Sequence, residues 1–497
     1  MGKQVYDFLL EAAAEEPKSV ALEFMGKPIT FGLLAENSRK LASGLAAQGV
    51  QPGSSVGLML PNIPHFPEAM FGSWLNGNVI VPMNVLLKAP EVRYLIDDSQ
   101  IRALFVFEMF LPEVDAAIAD MADPPRVFVV GNPGRHTPYG TLVETSKLAD
   151  PQPPKGDPHL LTIYTSGTTG KPKGAVITNA NVIGQLDMID QVWVPEEDDR
   201  ALCVLPLFHV FAMNGIMNLG IRHRTTTVLH PKFDVTATLN ALQNDRITLF
   251  SGVPTIYFYL LKAAGEDVTF PALKRCISGG AAMPLEVMRT FEKRFNVPIY
   301  EGYGLTETTV SVCCNFQDAK KEGSVGKPYP GVQLRVLDDS GRELGPNERG
   351  ELVFKAPNIM QRYLNRPEAT SEALVDGWLF TGDIGYIDDE GFIFIVDRKK
   401  DMIIKGGYNI YPREIEEVLY QLPQVAEAAV VGVQDEAKGE HVRAVISVRP
   451  GAELDQEAVE AHLSQNLAKY KLPSEYVFMG ELPKGPTGKI LKRELRA

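Results

Sequence analysis

Apolar positions along the chain recur in two periods. The stretch LLAENSRKLASGLAAQG (33–49) repeats them at the three-to-four spacing of a one-faced helix. VGLML (56–60) and NVIVPM (78–83) are instead short apolar runs bounded by Gly, Pro and Asn, as buried strands are. The Pro- and charge-rich ADPQPPKGDPH (149–159) predicts a surface loop feeding a buried strand at LLTIY (160–164). Further strands are predicted at LCVL (202–205), TTVL (226–229), ITLF (247–250), CIS (276–278) and LVF (352–354), with helical stretches between them.

Near residue 383 the texture changes. GDIGYIDDEGFIFIVD (382–397) reads as a hairpin and runs directly into Arg398-Lys399-Lys400. After it come a helix at PREIEEVLYQL (412–422), strands at AEAAVVGV (426–433) and HVRAVISV (441–448), a helix over LDQEAVEAHLSQNLAKY (454–470) and a basic tail. The predicted fold class is α/β. A large N-terminal α/β domain of several sheets with flanking helices spans 1–397, 398–400 form a hinge, and 401–497 form a small mobile α+β domain.

At 497 residues the chain exceeds what one core organises, which supports this division. No apolar run approaches the roughly 18–20 residues of a membrane span. The start, MGKQVYDFLLEAAAEEP, lacks a signal-peptide core and is acidic, so a mature N-terminus and a cytoplasmic location are expected. Tyr6 stands where a myristoylation signal needs Ser or Thr, and the final Leu-Arg-Ala is not a peroxisomal address. Cys203, Cys276, Cys313 and Cys314 have neither zinc spacing nor a disulfide framework and are expected to be reduced packing residues. A net charge of −13 disfavours a nucleic-acid partner. Any anionic substrate must then be met by local positive charge.

The densest chemistry lies in YTSGTTGKPKGAVIT (164–178). Thr165, Ser166, Thr168 and Thr169 offer hydroxyl donors, Gly167 and Gly170 let backbone amides approach an anion, and Lys171 and Lys173 add charge, the makings of a phosphate cradle. It is not the common P-loop, because Pro172 follows Lys171 and Thr165 occupies the leading glycine position. IYEGYGLTE (299–307) ends in the hydroxyl of Thr306 and the carboxylate of Glu307, a hard oxygen pair of the kind Mg²⁺ takes. His209 stands alone among apolar residues in PLFHVFAMN (206–214), and Lys489 lies in the Gly/Pro-rich tail PKGPTGKILKR (483–493).

The cradle resembles, almost letter for letter, the first signature of the acyl-adenylate-forming superfamily of acyl-CoA synthetases, peptide-synthetase adenylation domains and firefly luciferase. The similarity is nearest to bacterial fatty-acyl- or aryl-CoA ligases, and further matches fall in the family's order across nearly the whole chain. The resemblance implies that Gly280 and Ala281 form the adenine turn, that Tyr303 stacks on the base beside Gly304, and that Thr306 contacts the α-phosphate. Glu307 with Thr165 would hold Mg²⁺, and Asp383 with Arg398 would take the ribose. His209, Phe211, Met213, Gly302, Gly304 and Val310 would line the acyl pocket, with Tyr257 and Val312 helping to set its depth. Lys489 would bridge the substrate carboxylate and the α-phosphate, Lys400 would be the hinge, and Gly406 and Gly407 would line a thiol tunnel.

The expected function is ATP-dependent conversion of a carboxylic acid to acyl-AMP with release of pyrophosphate, then acyl transfer to coenzyme A. The alternative is an amide synthetase that hands the same adenylate to an amine. A luciferase-like oxygenation finds no specific support. Amino-acid-activating relatives carry an Asp in the 206–214 segment to pair the substrate ammonium, whereas this chain has Phe, His and Val there, so a hydrophobic fatty or aryl acid is expected. The 497 residues end without a carrier-protein domain, so a peptide-synthetase module is not expected. A homodimer is compatible with the resemblance. A degenerate binding protein would have lost charged positions first, and Glu307, Asp383, Arg398 and Lys489 are all retained.

Overall fold

The computed structural model describes residues 2–144, 157–165, 171–405, 408–435, 439–485 and 488–496. Ser166, Gly167, Thr168, Thr169, Gly170, Gly406, Gly407 and most of the 149–159 loop lie outside the described residues. Three sheets make up the large domain. The first runs in the order Lys327–Pro328, Cys313–Cys314, Ile299–Tyr303, Arg275–Ser278, Leu249–Gly252, Arg200–Cys203, Thr226–Leu229, Val20–Phe24 and Lys27–Thr30. Its middle is parallel and its two ends antiparallel. The second is built around Ser55–Met59, Val79–Pro82 and His159–Thr165, and ends on the antiparallel strands Lys173–Thr178 and Arg362–Tyr363. Parallel strands require crossovers, which is why helices separate the apolar runs in sequence.

The third sheet is antiparallel and contains the predicted hairpin as Trp378–Ile387 paired with Ile393–Arg398. A fourth sheet, with Val425–Asp435 and Gly439–Val448 as its long pair, carries the helices Pro412–Tyr420 and Gln456–Asn466 and forms the core of a small domain. No helix among the described residues is long and apolar enough to cross a membrane. Cys203, Cys276 and Cys313 are buried free thiols, with Cys314 half-buried.

The differences from the sequence reading lie at element ends. LCVL and ITLF are each shifted by two residues, to Arg200–Cys203 and Leu249–Gly252, because pairing with neighbouring strands, not hydrophobicity, sets where a ladder begins. The helix predicted to reach Tyr470 stops at Asn466: Asp455 caps its start by accepting the Ala458 amide at 2.8 Å, and Leu467 has turned extended.

Candidate active site

A cleft of about 1670 Å³ opens where the large and small domains meet, and one strand serves both of its ends. Ile299–Tyr303 continues through Gly304 into the short 3₁₀ turn Thr306–Thr308. Gly304 is fixed by space: a Cβ there would stand 2.1 Å from the Val310 carbonyl oxygen, so any side chain would push the turn off the strand. The turn is held under backbone strain. Thr309 sits at φ 62°, a region costly for a β-branched residue, and is kept there by Thr309 Oγ1 donating to the Asn358 carbonyl at 2.6 Å. Asn358 Nδ2 in turn donates to the carbonyls of Thr308 (2.6 Å) and Ser311 (2.9 Å). These contacts fix Thr306 and Glu307 at the cleft wall.

Glu307 accepts the Tyr363 hydroxyl at 2.7 Å on Oε1, and Lys173 Nζ lies 5.2 Å from the centre of the Tyr363 ring. Tyr363 thus joins two candidates that lie far apart in sequence. It was not foreseen, since a lone Tyr in a two-residue edge strand carries no motif. Thr165 is the last residue of the strand His159–Thr165 and pairs with Lys173 across the ladder.

Next to the Thr306–Thr308 turn Asp383 pairs directly across its hairpin with Arg398. It is nearly buried, accepts the Tyr303 hydroxyl at 2.5 Å on Oδ2, and lies 3.4 Å from Arg398 Nε on Oδ1. Burial raises its pKa, while Arg398 and the Tyr303 hydrogen bond pull it back. Each carboxylate oxygen retains a lone pair for a further donor.

Lys489 reaches this cleft from the small domain. Its segment is a tight hairpin in which Lys484 bridges Ile490 and the Gly485 amide donates to the Lys489 carbonyl at 2.8 Å. The hairpin docks on the helix Pro254–Ala263: Thr255 Oγ1 donates to the Gly488 carbonyl at 3.2 Å and Lys484 Nζ donates to the Tyr259 hydroxyl at 2.8 Å. From its returning arm the Lys489 side chain crosses the Gly280 turn so closely that a Cβ on Gly280 would be 3.1 Å from Lys489 Cε and 3.6 Å from Nζ. Burial, then Arg398, lower the Lys489 pKa to about 8, against Asp383 and Glu307, which raise it. Lys400 is also held low, by burial and by Arg398. Lys173, Arg398, Lys400 and Lys489 all line the cleft, with Glu307 and Asp383 among the carboxylates between them, so a chain of net charge −13 still brings local positive charge to this site.

His209 shares a small recess with Lys489, Gly280 and Phe211. Burial, and secondarily Lys489, lower its pKa to about 3. Its Nδ1 accepts the Phe211 amide at 3.3 Å, so the neutral ring carries its proton on Nε2. Beyond it, Phe211, Gly215 and Leu219 line the cleft at intervals of four along a helical segment that includes the π-helical turn Met213–Asn218. Facing them are Ile277, Tyr300, Gly302 and Val310. Met213, two residues from Phe211, falls on the far side of the helical segment; it is fully buried and does not line the cleft. The same holds for Tyr257, whose hydroxyl donates to the Ile277 carbonyl at 2.7 Å, and for Val312. Gly215 and Leu219 take their places in the wall. A four-residue spacing counted from Phe211 could have found both.

A family model described as AMP-binding enzyme matches residues 9–364, and one described as AMP-binding enzyme C-terminal domain matches 414–489. The chain belongs to the AMP-binding enzyme family. Within it, the chain is 37% identical to a long-chain-fatty-acid–CoA ligase of Bacillus subtilis (strain 168), over 99% of this chain and 94% of the relative. It is equally 37% identical to an indoleacetate–CoA ligase of Aromatoleum aromaticum, over 97% and 96%. Among solved structures, the anthranilate CoA ligase AuaEII in complex with anthranoyl-AMP superposes with a TM-score of 0.94 at 26% identity, covering 99% of this chain and 96% of that one.

Proposed function

We propose that this AMP-binding enzyme is an AMP-forming acid–thiol ligase. It activates a hydrophobic carboxylic acid with ATP as acyl-AMP, releases pyrophosphate, and transfers the acyl group to coenzyme A. The observation that carries this reading is Lys489, delivered from the small domain across the Gly280 turn to a recess between neutral His209 and the Glu307–Asp383 region. An apolar chamber opens on one side of that point, and on the other lies a polar cleft lined by Lys173, Arg398 and Lys400. The relatives named above as CoA ligases support the thiol acceptor.

The barrier to joining a carboxylate with ATP is largely the work of bringing anions into line. Positioning contributes on the order of 7–11 kcal/mol, and one well-placed charge about 3–4. The Lys489 ammonium serves both the acid's carboxylate and the α-phosphate; their negative charge raises its pKa from about 8 and keeps it protonated. The carboxylate oxygen attacks the α-phosphorus and the bond to pyrophosphate breaks. Asp383 and Arg398 hold the ribose, Tyr303 packs on the base, and His209 stays neutral, so it offers an Nε2–H without adding charge.

Mg²⁺ fits the donor set: Glu307 keeps Oε2 free of the Tyr363 contact, and the Thr165 hydroxyl lies at the end of the cradle strand. One carboxylate with substrate phosphates and waters is the usual company of this ion. Bound there, Mg²⁺ would neutralise phosphate charge. The second half-reaction requires a thiol where Lys489 stands, so the small domain must turn about residues 398–400. Gly406 and Gly407 would then line the thiol's path, and 1–397 and 401–497 would act as the two moving bodies.

Acid-dependent pyrophosphate release with ATP and Mg²⁺, measured across fatty, aryl and cyclic acids with and without coenzyme A, tests the reading. A thioester product is expected. Orthophosphate in place of pyrophosphate, or adenylate consumed only by amines, overturns it.

A further inference from the structure

The far end of the acyl chamber is not apolar. The cleft-lining face of the strand Arg275–Ser278 carries Ile277 and, two residues earlier, Arg275, since alternate residues share a face. Ile277 is registered with Tyr300 on the neighbouring strand, whose own cleft face continues to Gly302. The adenylate end lies at the other terminus of these strands, where Ser278 leads into the Gly279–Gly280 turn under Lys489. From Gly279 back to Arg275 is four residues, roughly 13 Å at about 3.3 Å per residue.

At that distal end the Arg275 guanidinium carbon lies 4.7 Å from the centre of the Trp193 ring, and both residues line the cleft. Arg275 makes no side-chain hydrogen bond or ion pair among the described residues. Stacking on an indole fixes the plane of a guanidinium while leaving its edge N–H groups free to donate. The result is a half-buried donor array, held flat, at the end of an apolar channel. An acid that ends in a methyl group would leave those donors unmatched, whereas one with an oxygen at its distal end would satisfy them. Asp318 lines the same cleft, and it and Glu292 oppose Arg275 in their effect on Tyr300; Glu292 is itself paired with Lys320. A dicarboxylic acid would set its second negative charge in a part of the cleft that Asp318 already lines.

We infer that Arg275, held by Trp193, is a specificity-determining residue that selects hydrophobic acids bearing a neutral acceptor oxygen (a hydroxyl, ether or carbonyl) at the end remote from the carboxylate. This deepens the ligase reading of the same cleft and rests on it.

The test uses matched acids: decanoate against 10-hydroxydecanoate, cinnamate against 4-hydroxycinnamate, and sebacate as the dianionic arm. ATP–pyrophosphate exchange and thioester formation are measured for the wild type, Arg275→Leu, Arg275→Lys and Trp193→Leu. The wild type is expected to favour the hydroxylated member of at least one pair by about tenfold in kcat/KM, expressed chiefly in KM, with sebacate poorest. Arg275→Leu collapses the preference, Arg275→Lys restores part of it, and Trp193→Leu weakens it. Exchange with equal or inverted preference in the wild type, or a preference unchanged in Arg275→Leu, overturns the role of Arg275 and leaves the ligase reading standing. Exchange with no acid at all removes both.

Discussion

The nucleotide wall and the acyl wall of the cleft share the strand Ile299–Tyr303 but are built on opposite plans. The nucleotide wall is polar and cross-braced: Tyr303 to Asp383, Asp383 to Arg398, Tyr363 to Glu307, and a strained Thr309 pinned by Asn358. The acyl wall from Phe211 to Ile277 is shaped by packing, with Gly215 leaving room and Arg275 closing the end. On the proposed reading, a ligand common to every turnover meets the rigid wall, and the variable substrate meets the one that side-chain volume can retune.

The sharpest way to break this contrast is Lys489→Ala, which removes the one charge serving both walls. Adenylation should fall about 10²- to 10³-fold with every acid, while thioester formation from supplied acyl-AMP survives. Equal loss of both half-reactions would sink the two-state account. Bulk at Gly407 should do the reverse, sparing adenylation and blocking the thioester step. The same lysine sets a pH limb. Its ammonium is lost as pH rises through about 8, so kcat/KM for adenylation should decline above that value, and Lys489→Arg should abolish the decline.

Asp383→Ala should cost about 30- to 100-fold in kcat/KM for ATP, to the same extent for all acids, because it leaves Arg398 and Tyr303 without their buried acceptor. A loss that varies with the acid would erase the distinction between the walls.

Glu301 lies on the shared strand between Tyr300 and Gly302. It is 1% exposed, accepts the Met283 amide on Oε1 at 3.0 Å, and has no partner on Oε2 among the described residues. Burial raises its pKa to about 7, against the pull of Arg413 from the small domain. A carboxyl pKa raised on folding gives stability that is complete below the ordinary carboxyl range and is lost as pH rises through about 7. Glu301→Gln should therefore be more stable than the wild type by about 2–3 kcal/mol at pH 8 and equal to it near pH 4, read as thermal midpoints at the two pH values.

The smallest effect belongs to the acyl wall. A Cβ on Gly215 would meet Val310 at 3.3 Å and Phe211 at 3.4 Å, so Gly215→Val should shift preference toward shorter acids by about tenfold with KM for ATP unmoved. A changed KM for ATP would show that the walls are coupled.

Much of the nucleotide wall was legible in the chain itself. Thr306-Glu307 in IYEGYGLTE and Asp383 in GDIGYIDD are marked without coordinates by a hydroxyl and carboxylates in glycine-punctuated turns and by the family resemblance of those turns, and the structure brings all three to one cleft. The α/β alternation was equally readable, because parallel strands and their crossovers impose their periods on the sequence. The acyl wall was not. Its residues come from separate segments, and an apolar side chain reads the same whether it lines a cavity or fills the core. Helical phase put Met213 in the core and Gly215 and Leu219 at the cleft. Likewise only the assembled fold could bring Tyr363 onto Glu307 and stand Arg275 on Trp193, whereas the reach of Lys489 into the cleft was already implied by the resemblance of its tail. Local sequence determines what a turn must contain, because backbone geometry is local. Which distant side chains share a cavity is decided by long-range packing.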